Sequence, residues 1–124
     1  MERFVEKFVE EANEHLAVIE NALLEYEKNK NKDNIESIFR AIHTLKGTGA
    51  MFGYNKISEL THNLENIYDL IRKNIIQFDK KIADITLKAN DCIKKILTEN
   101  SSENNEITEL INEIQNYLNE DINN

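Results

Sequence analysis

The chain has no proline, no tryptophan, three glycines and one cysteine in 124 residues. So few turn formers argue against a β-sandwich or barrel, since such folds need a turn about every 8–12 residues. An all-α fold is the expectation. The single cysteine, Cys92, cannot close an internal disulfide and lies close to an apolar stripe, so it reads as a small core residue. Positive charge is also lacking. The formal net charge is −8, which argues against nucleic acid or an anionic membrane as partner, because both require clustered Lys and Arg. Long apolar runs are absent too. The longest is four residues, Leu16 to Ile19, against the ~20 needed to span a bilayer. The start, Met1-Glu2-Arg3-Phe4, lacks the layout of a signal peptide. A single domain over 1–124, cytoplasmic and not inserted in a membrane, is expected.

What is present is helical periodicity. Val5, Phe8, Ala12, Leu16, Ile19, Leu23 and Tyr26 recur at three- and four-residue spacing, predicting a helix over 2–28. Asp33, with Glu36 three residues on, is the expected cap of a second helix over 33–52, whose stripe is Ile35, Ile38, Phe39, Ile42, Leu45, Gly49 and Phe52. Gly53 is placed to end it in a left-handed conformation. Asn55 is the expected cap of a third helix over 55–74, with Ile57, Leu60, Leu64, Ile67 and Ile71 inward. Asp79 caps a fourth over 79–99, with Ile82, Ile85, Ala89, Ile93 and Ile96 inward. A polar loop over 100–105 leads to a short fifth helix over 105–118, carrying Ile107, Leu110, Ile111, Ile114 and Leu118, and 119–124 reads as a frayed end or linker. The short connections predict an up-and-down antiparallel bundle, a four-helix core plus the fifth helix.

The glycines are the most informative residues. Gly47, Gly49 and Gly53 all follow His43 within ten residues. Two of them sit inside a predicted helix, where each costs roughly 0.8–1 kcal/mol relative to alanine. Gly49 falls on the apolar stripe, which suggests close helix packing. Gly47 lies one turn after His43 on the same face, away from the stripe, and leaves room for another protein's backbone to approach.

His43 falls about 120° from the centre of its stripe, on the helix flank, with Lys46 beside it on the helix surface. On their own these two residues are ordinary surface decoration. Glu65 on the third helix lies at the same offset from its own stripe, about 120°. His43 and Glu65 also lie at matched levels, both roughly 15–18 Å from the turn at Gly53. Two antiparallel helices place such a pair either on facing flanks or on outer flanks, and the pattern leaves both open. On facing flanks, the carboxylate would accept the Nδ1 proton and leave Nε2 as a nucleophile. His62 points further from the stripe and reads as exposed. His15 receives no role.

The run Ala41-Ile42-His43-Thr44-Leu45-Lys46-Gly47-Thr48-Gly49-Ala50-Met51-Phe52-Gly53 resembles the phosphoacceptor motif of histidine phosphotransfer (HPt) domains. Leu60-Thr61-His62-Asn63-Leu64-Glu65 resembles the second motif of one branch, the amino-terminal domain of CheA-type chemotaxis histidine kinases, and the first helix follows the same pattern. The resemblance implies that His43 is phosphorylated, that Glu65 orients it, and that Lys46 and His62 are accessory. Thr48 departs from the glycine often found in that branch. The resemblance also implies that this chain binds no cofactor itself. ATP and Mg²⁺ belong to partner domains, namely the kinase catalytic domain of the parent, acting in trans within a dimer. Response regulators of the chemotaxis type then receive the phosphoryl group. With no second domain legible, an excised domain is expected.

Three rival readings remain. Glu59-x-x-His62 matches half of a di-iron carboxylate bundle motif, but the second half is missing. A purely structural helical adaptor fits the bundle and leaves the glycine cluster unexplained. An HPt domain of a non-chemotaxis phosphorelay shares the chemistry and differs in partner.

Overall fold

A computed structural model describes residues 2–99 and 105–123. Five helices follow one another: α1 (Glu2–Asn29), α2 (Lys32–Met51), α3 (Asn55–Arg72), α4 (Lys80–Glu99) and α5 (Asn105–Asn123). No strand occurs among the described residues. Helix α1 packs against α2 and α4, α2 against α1 and α3, and α5 lies against both α3 and α4. The predicted stripes meet in one core, in which Leu16, Ile38, Ile42, Leu45, Ile57, Leu60, Ile67 and Ile82 are fully buried. Burying each such side chain contributes about 1.5–3 kcal/mol. Cys92 belongs to this core. Tyr68, which no predicted stripe contained, is fully buried as well.

Helix ends differ from the expectation where the chain reverses more tightly than residue types suggest. Lys30 takes a positive φ of 55°, so α1 runs to Asn29 and α2 begins at Lys32. The cap of α2 is therefore Asn31, whose Oδ1 accepts from the Asp33 N–H at 2.9 Å. Asp33 instead lies in the first turn, where a carboxylate complements the helix dipole. Asn55 does not cap α3 either. Tyr54 holds that position without a side-chain bond, because α2 runs almost directly into α3. Gly53 ends α2 at φ 82°, with its N–H bonded to the Ala50 carbonyl at 3.2 Å and the Tyr54 N–H bonded to the Gly49 carbonyl at 2.8 Å. This pair of bonds is the Schellman pattern. Asn74, φ 60°, ends α3 the same way and leaves Arg72 as its last residue. Asp79 Oδ1 does accept from the Ile82 N–H, at 2.9 Å. Helix α5 extends to Asn123, into the stretch read as a frayed end. The polar stretch 100–104 lies outside the described residues.

Polar side chains tie the helices across the core. The Tyr68 and Thr86 hydroxyls meet at 2.7 Å between α3 and α4, Asn90 Nδ2 donates to the Leu16 carbonyl at 3.3 Å between α4 and α1, and Gln115 Nε2 donates to Asn63 Oδ1 at 3.3 Å between α5 and α3.

Candidate functional site

The seam between α2 and α3 carries the candidate residues. The buried stripes of these two helices face inward, so the flanks on either side are set by their antiparallel packing. His43 and Glu65 fall on facing flanks: His43 Nδ1 lies 3.2 Å from Glu65 Oε2. The same carboxylate oxygen receives Lys46 Nζ at 3.0 Å. The His43 side chain is 61% exposed and that of Glu65 17% exposed, so the imidazole reaches outward from a carboxylate held at the helix seam. A carboxylate only accepts hydrogen bonds, so a neutral ring bonded to it carries its proton on Nδ1 and keeps a lone pair on Nε2. Lys46, half-buried, does not pair with a group on His43 directly. Its contact is with Glu65, which holds the carboxylate in place and leaves a cation one helical turn from the ring.

The two helical glycines diverge. A Cβ at Gly47 would meet nothing within 4 Å, whereas one at Gly49 would lie 3.3 Å from Ile57 Cγ2 and 3.5 Å from the Ser58 nitrogen. Gly49 thus allows α2 and α3 to approach each other, and Ser58 Oγ bonds the Lys46 carbonyl at 3.0 Å across that approach. Gly47 is exposed and opens the helix surface beside His43.

The chain matches the Hpt domain family over residues 3–120. It belongs to the Hpt family. The solved CheA phosphotransferase domain from Thermotoga maritima superposes on this Hpt domain with a TM-score of 0.75 at 34% identity, covering 78% of this chain and 93% of that one. In sequence, the Hpt domain is 36% identical over 98 residues to the chemotaxis protein CheA of Bacillus subtilis, and 33% identical over 93 residues to that of Listeria monocytogenes. These alignments take in 78% and 74% of this chain respectively, and 15% of each relative.

The remaining polar candidates of the Hpt domain sort by exposure. His62 is exposed one turn from Glu65 and, with Lys46, Gly47, Ala50, Asn55, Ser58 and Glu59, lines an open depression next to His43. Glu59 and His62 both face outward, away from the bundle interior where a carboxylate metal site would form. Among the described residues, no group of three or more His, Cys, Asp or Glu side chains is arranged to hold a metal. None of the described helices is long and apolar enough to cross a membrane. Burial pushes the Cys92 thiol up from its ordinary value, the Glu106 and Asp91 carboxylates add to this, and Lys95 partly offsets it. Such a thiol is a poor nucleophile at neutral pH.

Two residues of the seam were given no role at the site by the sequence reading. The Phe39 ring lies nearly parallel to the His43 imidazole, at 13° and 6.3 Å between centroids, and the Arg72 guanidinium covers Phe39 with Cζ 3.9 Å from its centroid. The four-residue step from Phe39 to His43 was the available signal, but Phe39 also fits the apolar stripe and was absorbed there.

Proposed function

We propose that this Hpt domain is the phosphoacceptor of a chemotaxis histidine kinase, with His43 carrying the phosphoryl group. The observation that carries the reading is the 3.2 Å contact from His43 Nδ1 to Glu65 on an otherwise exposed imidazole. It leaves Nε2 as the free nucleophilic atom. The family membership and the likeness to the Thermotoga maritima CheA phosphotransferase domain support it.

Nε2 attacks the γ-phosphorus of ATP in line. The Nε2–P bond forms as the bond to the ADP oxygen breaks, and the Nδ1 proton stays between the ring and Glu65. The carboxylate thereby stabilises the cationic phosphoimidazole that results. In the second step an aspartate oxygen of a response regulator attacks the phosphorus, the N–P bond breaks, and the neutral imidazole returns. Both are group transfers between proteins. This chain supplies the nucleophile and its orientation, while ATP and Mg²⁺ are held by the kinase catalytic domain of the parent, acting in trans within a dimer in the cytoplasm. Lys46 and His62 flank the approach, and Gly47 leaves room for the incoming domain.

The test is to mix the Hpt domain with a chemotaxis kinase catalytic core, Mg²⁺ and γ-labelled ATP, and to follow acid-labile, base-stable label. His43→Gln abolishes the label and His15→Gln leaves it intact. Label persisting on the His43→Gln protein overturns the assignment.

A further inference from the structure

The Glu65 contact fixes one atom of the His43 ring. With 61% of the side chain exposed, the imidazole remains free to swing about the line from Nδ1 to the carboxylate, because the ring torsion of histidine is broad and roughly two-fold. Nε2 sits at the far end of that swing, so an undirected ring sweeps its lone pair across the surface. A second constraint is needed, and the seam contains one.

Side chains on a helix lean toward its N-terminus, which sets Phe39 beneath His43, one turn earlier on α2. Their centroid separation of 6.3 Å at 13° falls within the roughly 4.5–7 Å range of aromatic pairs, so the Phe39 ring bounds the motion of the imidazole on that side. Phe39 is itself only half-buried and would rock if unbraced. Arg72 braces it: the guanidinium lies over the ring with Cζ 3.9 Å from the centroid, a cation–π contact. Arg72 is held in turn by Glu36 on α2, whose Oε1 accepts from Nε at 2.8 Å, and by Asp69 on α3, whose Oδ1 accepts from Nη1 at 3.4 Å. The clamp therefore crosses the same seam as the His43–Glu65 contact, nearer the start of α2.

We infer that Phe39, clamped by Arg72, is a positioning residue that holds the His43 ring in the orientation from which Nε2 reacts. The inference rests on His43 being the phosphoacceptor. A direct role for Arg72 as a ligand of the phosphoryl group is disfavoured on two counts. Its guanidinium covers Phe39 instead of the imidazole, and two carboxylates, one on Nε and one on Nη1, already offset its charge.

The experiment compares wild type with Phe39→Leu, Phe39→Tyr and Arg72→Lys at a temperature well below every melting midpoint. Order of the His43 ring is read by carbon NMR relaxation, and kcat and KM for phosphorylation by a chemotaxis kinase core are read with Mg²⁺ and ATP. Phe39→Leu lowers ring order and lowers kcat about fivefold to tenfold, with KM for the domain changed by less than about twofold. Phe39→Tyr keeps the aromatic face and restores both readouts. Arg72→Lys keeps the charge but loses the guanidinium over the ring and its fork of donors, and lowers kcat about twofold to threefold with a parallel loss of ring order. Wild-type ring order or wild-type kcat in Phe39→Leu overturns the inference, as does failure of Phe39→Tyr to restore them. An effect confined to KM also overturns it, by marking a docking residue. If wild type takes no label, the phosphoacceptor reading fails, and the ring-order comparison still decides whether Phe39 positions His43.

Discussion

Glu65 and Tyr68 sit one turn apart on α3 and make opposite kinds of polar contact. Glu65 turns toward α2, where one carboxylate oxygen serves an exposed imidazole and a half-buried lysine. Tyr68 turns toward α4, where its hydroxyl meets Thr86 in the fully buried core. The first contact faces water and leaves the far side of the His43 ring uncovered. The second is enclosed on all sides and leaves nothing for a partner to reach. One helix thus separates chemistry from scaffold by a rotation of about 300° along three residues, which is a turn of some 60° the other way. If the separation holds, changes on the exposed α2 flank beside His43 slow transfer without lowering stability, and changes on the α4 side lower stability without slowing transfer.

The largest effect expected on the α2 side comes from Gly47→Leu. A side chain there meets open space within the domain, and replacing a mid-helix glycine stabilises the helix by roughly 0.8–1 kcal/mol. The melting midpoint should hold or rise, while transfer from the kinase core falls by about a hundredfold or more as the partner's approach is blocked. Gly49→Leu is the matched contrast. Its side chain runs into Ile57 and the α3 backbone, and overpacking of that kind costs about 1–3 kcal/mol. Thermal melts and labelling of both proteins check the pair. Loss of helical circular dichroism in Gly47→Leu breaks the comparison at its first step.

A smaller effect is expected from Glu65→Gln. Removing the carboxylate releases Lys46 and lets the neutral His43 ring populate both tautomers, which reduces the fraction with a free Nε2. Losing such an orienting partner typically costs 10- to 100-fold around histidine ligands, and phosphorylation should slow by about that much in a folded bundle. Nitrogen NMR of His43 reads the tautomer ratio directly. An unchanged ratio together with an unchanged rate would show that the 3.2 Å contact does not govern the ring.

How much of this was legible beforehand follows from which features are local. Core stripes are properties of one helix, so Ile57, Leu60, Leu64, Ile67 and Ile71 could be assigned inward from spacing alone, and all five are buried. The facing of His43 and Glu65 depends on which side of α2 receives α3. That is a property of the bundle, and the sequence pattern left it open. The Phe39–Arg72 clamp lies further out of reach, because it depends on the rotamer of a long side chain anchored by carboxylates from two helices. The expected cap of α2 failed because a non-glycine residue took a positive φ. Lys30 carries no signal for that conformation, and its reversal moved the cap from Asp33 to Asn31.

The smallest effect, and the sharpest check of the other side of α3, is Tyr68→Phe. Thr86 has one hydroxyl proton and gives it to the Ile82 carbonyl at 2.7 Å, so in the 2.7 Å pair it is the Tyr68 O–H that donates to Thr86. Removing that donor in a well-packed site costs about 1 kcal/mol, without the loss of ring volume that would open a cavity. Near neutral pH the variant should melt slightly lower. Burial raises the Tyr68 hydroxyl well above its ordinary value, and the Thr86 bond only partly offsets this. A folded-state pKa raised above the unfolded one contributes stability below the unfolded value and loses it as pH climbs beyond. The advantage of wild type over Tyr68→Phe is therefore full at neutral pH and shrinks once pH passes about 10, where unfolded tyrosine ionises. The other tyrosines titrate alike in both proteins and cancel from the difference. Melting curves of the two proteins across that range test the sign, and labelling of His43 at neutral pH should be the same in both. A phosphorylation rate that moves with Tyr68→Phe would mean that α3 transmits the buried contact to the exposed one, and the division of labour between its two faces would have to be given up.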